Sequence, residues 1–141
     1  MQAEKYLQRI KQIDVIIGNK IEDHKKWVEI AEGLGGASAG ERVQSSKNLQ
    51  QIPNAIGRYI DIEREIDALK QERQAIISTI ERLPTTEYDL VYKLYVKDFT
   101  LKELAYHFGK SYDWVKVKKR HALTLIQVIV DEATAQTSTV R

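Results

Sequence analysis

Residues 100–126 read TLKELAYHFGKSYDWVKVKKRHALTLI, and few folds accept that order of residues. Thr100 followed three residues later by Glu103 is a capping box that starts a helix. Leu101, Leu104, Ala105 and Phe108 then share one helical face. Gly109 suits the left-handed residue that ends such a helix, and Ser111 can cap the next one. The second helix, residues 111–123, carries Lys116, Lys118, Lys119 and Arg120 against a single acid, Asp113. Helix, glycine turn and basic helix in that order is the sequence form of a DNA-reading helix-turn-helix. An ordinary helical hairpin with a solvated, charged face satisfies the same pattern.

Finer spacing favours the first reading. Ala105 is small where two helices must cross, Gly109 follows four residues later, and Val115 can anchor the second helix in a core. That Ala–Gly–Val spacing resembles the general helix-turn-helix fingerprint, and the stretch is similar to region four of bacterial sigma factors. Lys110 and Lys118 stand where an aliphatic residue is usual. The second helix then leans on Val115, Ala122, Leu125, Ile126 and Ile129. The stem of Lys118 can run along the core edge while its ammonium reaches water or phosphate.

Global charge says little, because 22 bases against 20 acids leave a net +2. Its distribution says more. Residues 1–32 balance six bases with six acids and residues 54–83 hold five against six, whereas residues 111–123 hold four against one. Local charge is the electrostatic footprint to read. The 141 residues make about one domain. Without cysteine, disulfides and thiolate metal sites are excluded. No apolar run approaches the roughly 20 residues that span a bilayer. The start, MQAEKYLQRIKQ, is amphipathic and lacks a signal-peptide core, so a cytoplasmic protein is expected.

Three long helical patterns stand out and nothing reads as a strand. The first covers about residues 3–31, with Leu7, Ile10, Ile13, Ile17, Ile21 and Val28 in a narrow stripe. A break follows at GLGGASAG, which holds four of the seven glycines. Residues 33–53 read as a flexible linker; they lack the Lys-Ser/Thr and the strand of a phosphate-binding loop. Asn54 can cap the second long helix, which Pro84 stops after Leu83. Tyr59, Ile62, Ile66, Leu69, Arg73, Ile76, Ile80 and Leu83 follow at three- and four-residue steps, a heptad seam interrupted by one cation. The two long helices are expected to form an antiparallel coiled-coil hairpin that also dimerises along that seam. Thr85 or Thr86 can then cap a third helix, from Glu87 to about Val96, with Leu90, Val91, Leu94 and Tyr95 inward. The tail ATAQTSTVR is polar and expected to fray.

The fold class is therefore all-α: a coiled-coil region over residues 1–83 and a trihelical helix-turn-helix domain over 84–132. Residues 133–141 are expected to form a flexible tail.

Nothing in the chain converges on catalysis. His24, His107 and His121 lie in separate segments without acids at ligand spacing, so no metal site or cofactor is expected. Asp61, Glu63, Glu65 and Asp67 alternate at two-residue steps and point to different sides of their helix. No nucleophile elbow or Ser–His–Asp set is present. Tyr88, Tyr92 and Tyr95 fit packing around the third helix better than a stacking platform, and Trp114 fits the core better than base contact.

Beyond the motif, several stretches carry a wider resemblance: YLQRIKQIDVIIGNKIED at 6–23, GERVQSS at 40–46, IDIEREID at 60–67, LPTTEYDLVYKLYV at 83–96, and GKSYDWVKV with HAL. Through them the chain resembles the RinA/ArpU-like group of phage transcriptional regulators. The resemblance implies a DNA-binding activator of late phage genes that acts with host RNA polymerase through a sigma-like domain. It also implies that Tyr112, Asp113, Lys116 and Val117 face base edges, with Lys102, Ser111, Lys119 and Arg120 nearer phosphates. The first residues of a recognition helix do face bases, and an acid such as Asp113 can accept from a cytosine amino group. The expected partners are duplex DNA, a second copy and host RNA polymerase. A small terminase-type packaging subunit, or a coiled-coil interaction protein without DNA binding, would share much of this layout.

Overall fold

A computed structural model of the chain describes the backbone of residues 2–33 and 45–139, and the side chains within 2–33 and 54–135. The described residues are all-α, without a strand. They form α1 (Ala3–Ala31), α2 (Ser45–Ile80), α3 (Thr85–Val91) continued by a wider π turn (Tyr92–Val96), α4 (Leu101–Phe108) and α5 (Tyr112–Thr139).

Helix α2 departs from the expected linker. It begins at Ser45 and runs through Pro53 instead of starting at Asn54. Leu49, Gln50 and Gln51 are good helix formers. Proline withdraws one amide hydrogen bond, which a helix of 36 residues tolerates. Residues 34–44 of that expected linker lie outside the described residues. The expected tail also changes. Helix α5 continues to Thr139, since adding a residue to an existing helix costs little, and Thr134 returns its hydroxyl to the Val130 carbonyl at 3.1 Å.

The chain divides into two compact units. One comprises Ile13–Gln71. Here Lys20 pairs with Glu65 at 2.7 Å and His24 with Glu63 at 2.8 Å. Partners that fall in sequence on one helix as they rise on the other define an antiparallel pair. Ile13, Ala55, Ile62 and Ile66 are buried in this unit, and Tyr59 sets its ring edge-on to His24, 5.6 Å between centroids. Ile21, expected in the apolar stripe, is 54 % exposed. It lines a shallow groove of about 230 Å³ with His24, Glu63 and Ile66. A straight helix drifts ~20° per heptad from its seam, which carries the later stripe residues to the rim.

The other unit comprises Met1–Gln12 and Glu72–Arg141. Its core collects Leu7 and Ile10 from α1, Ile76 and Ile80 from α2, and Leu83 beyond it. Leu90, Val91, Tyr95, Leu104, Val115, Ala122 and Ile126 complete it. The C-terminal helices thus share a core with the first turns of α1, where the sequence suggested a domain beginning at Pro84. Polar contacts reinforce that union. The Ala3 amide donates to the Gln127 side chain at 2.9 Å, and the Tyr95 hydroxyl donates to Glu4. Burial first, then the hydrogen bond to Glu4, pushes the Tyr95 phenol far up. Arg9 grips Glu72 with two hydrogen bonds, 2.7 and 3.1 Å long. Helix α3 starts directly after Pro84, without a side-chain cap from Thr85 or Thr86. Asp98, left-handed at φ 64°, turns the chain toward α4 and pairs with Lys11.

No described helix is long and apolar enough to cross a membrane.

Candidate nucleic-acid interface

Helices α4 and α5 are set by three local devices. The Thr100 hydroxyl accepts from the Glu103 amide at 3.1 Å while the Glu103 carboxylate accepts from the Thr100 amide at 2.8 Å, a complete capping box. Gly109, at φ 63°, ends α4; the Lys110 amide returns to the Ala105 carbonyl at 3.0 Å and the Gly109 amide to that of Tyr106 at 3.2 Å. That pair of bonds needs a left-handed residue, which glycine adopts without steric cost. The Ser111 hydroxyl accepts from the Trp114 amide at 3.0 Å and caps α5. Leu104 on α4 and Val115 on α5 are fully buried. Trp114 packs on Phe108 with ring centroids 5.5 Å apart but is half-buried, at the edge of the core it was expected to fill.

The residues expected at base edges share exposure on the first two turns of α5. Tyr112 is 45 % exposed and Val117 57 %, and Asp113 and Lys116 are exposed as well. The Lys116 ammonium lies 5.4 Å from the Tyr112 ring centroid, within cation–π range. Asp113, in the first turn of α5, sits at the positive end of the helix dipole. Of the residues expected near phosphates, Lys102, Ser111 and Arg120 are exposed.

Lys119, also expected near phosphates, forms an ion pair within the chain. It is half-buried, with its ammonium 3.5 Å from the Glu4 carboxylate. Lys118 also turns inward, 3.4 Å from Glu87 and 5.8 Å from the Trp114 ring centroid. For Lys118 the reason is angular. At 100° per residue, position 118 lies on the far side of the helix from 116 and 120, whereas position 119 lies only about 60° from 116 and is drawn in by Glu4 of α1.

Glu87 is the residue the sequence reading passed over. It is 5 % exposed, and besides Lys118 it meets His121 Nδ1 at 2.8 Å. Burial alone would raise its pKa. The hydrogen bond with His121, that from its own backbone amide and the nearby Lys118 outweigh burial and hold the carboxyl below its usual value. An acid in a first helical turn reads as a dipole partner, so the available signal was Lys118 itself, a cation at an aliphatic position that needed an inward counter-charge. Asp89 plays the same part toward α4, with Lys93 at 2.6 Å and His107 at 3.1 Å. Burial opposes ionisation there too, and Lys93 then His107 overcome it.

The proposed dimer seam fares differently. Ile62 and Ile80 are 0 % exposed and Ile66, Ile76 and Leu83 are buried; Tyr59, Leu69 and Arg73 are half-buried. Five of these eight residues are thus buried within a single chain, and Tyr59, Leu69 and Arg73 keep part of their surface exposed. The acids of α2 resolve into separate pairs, Glu63 with His24, Glu65 with Lys20 and Asp61 with Arg64. Among the described residues no three His, Asp or Glu side chains group as metal ligands. No family model, curated protein or solved structure matches the chain.

Proposed function

We propose that this protein binds duplex DNA through a helix-turn-helix made of α4 and α5, and that it acts as a transcriptional regulator of the RinA/ArpU-like phage type. The observation that carries the reading is the exposed set Tyr112, Asp113, Lys116, Val117 and Arg120 on one capped helix, held by a buried anchor at Val115. A helix presented this way can enter the ~12 Å wide major groove with its first turns at the base edges. Lys116 would donate to guanine acceptors, Asp113 would accept from a cytosine amino group, and Arg120 with Lys102 would meet phosphates. Activation of late genes with host RNA polymerase follows from the family resemblance alone.

Fluorescence anisotropy of the full chain with a labelled random-sequence duplex at low salt tests this. Binding that weakens linearly in log–log against salt, and weakens further in Lys116→Ala with Arg120→Ala, is expected. No binding at any salt would sink the proposal and favour a protein-interaction role.

A further inference from the structure

We infer that Val117 selects a thymine in the bound site by packing on its C5-methyl group, an inference that rests on the DNA-binding reading above. Val117 is 57 % exposed, one residue after Lys116 and three before Arg120, both exposed cations. A lone aliphatic residue on an ordinary surface needs no explanation. On a helix lying in the major groove it has one kind of contact to offer, because its side chain neither donates nor accepts hydrogen bonds. Base edges there present donors and acceptors, and the one apolar feature of the unmodified bases is the thymine methyl. A helical valine is also largely confined to a single χ1 rotamer, so its two methyls present a fixed surface. Tyr112 is the other exposed apolar residue of these turns. Its ring is engaged by Lys116 and its phenol can hydrogen-bond, so it does not single out a methyl. The exposed cations Lys116 and Arg120 beside Val117 favour a polyanion over an apolar protein groove as the occupant.

The experiment selects sequences from a random duplex pool with the full chain. Each thymine of the enriched site is then replaced singly by deoxyuridine, which lacks only the methyl. One position should bind about fourfold more weakly as uracil, the factor set by burying one methyl-sized group. Val117→Ser, with unchanged circular dichroism, should lose that penalty while treating the remaining thymines as the wild type does. Tolerance of uracil at every position, an enriched site without thymine, or an undiminished penalty in Val117→Ser would each overturn the assignment. A pool that enriches no sequence although the chain binds duplex would overturn sequence reading by α5 as a whole, and absence of duplex binding would overturn the proposed function itself.

Discussion

Four cations within five residues of α5 have two kinds of surroundings. Lys116 and Arg120, one turn apart, are exposed. Lys118 and Lys119 turn back into the protein, where Glu87 and Glu4 meet them. The same side-chain chemistry thus serves packing on one side of the helix and remains open to a ligand on the other. A charge count over residues 111–123 merges the two sides and overstates the basic surface. Angular position sets Lys118 apart, and the Glu4 carboxylate of α1 sets Lys119 apart.

The comparison can be broken first at its apolar counterparts. Ile126 is fully buried and Val117 exposed. Ile126→Ala should cost about 2–5 kcal/mol in urea denaturation, and Val117→Ala should stay within ~0.5 kcal/mol of wild type. Equal costs would mean that the two sides of α5 have been exchanged.

The inward cations come next. Glu87→Ala leaves Lys118 and His121 without their shared acid and should cost about 1–3 kcal/mol. The sign of its pH dependence follows from the depressed carboxyl pKa. Its stabilising effect is fully present above the ordinary glutamate value of 4.5 and is lost as pH falls through the lowered folded-state value. Wild type should therefore lose stability over that acid range, and Glu87→Gln should show a shallower loss in acid melts. Parallel acid limbs would show that the Glu87 cluster does not couple to folding.

Among the outward cations, Lys116→Ala should weaken a selected site by about 1–3 kcal/mol and random duplex by much less. Anisotropy on both duplexes decides it, and an equal loss on both would reassign Lys116 to phosphate. The smallest effect belongs to Lys119→Ala. A partly exposed pair with Glu4 is worth ~0–1 kcal/mol, so melting should barely shift.

Much of this was legible in the sequence because it depends on short-range rules. The capping box at Thr100 and Glu103, the left-handed Gly109 and the Ser111 cap are all fixed by residues a few positions apart, and all appear in the structure. What was not legible depends on distant partners. No spacing rule joins Glu4 to Tyr95 and Lys119, yet those contacts bring the first turns of α1 into the C-terminal core. Which residues cover Ile62, Ile76 and Ile80 on the seam was not legible either, because they are far away in sequence. Ser45 at the start of α2 was hidden by Pro53, whose local cost the longer helix absorbs.

The most direct measurement is the slope of log affinity against log salt for wild type, Arg120→Ala and Lys119→Ala on one duplex. Each lost phosphate contact should lower the slope by roughly 0.9, through fewer released counterions. The expected result is a drop of that size for Arg120→Ala and an unchanged slope for Lys119→Ala. Equal drops in both variants, or none in either, would contradict the division of α5 into a structural side and a DNA-facing side.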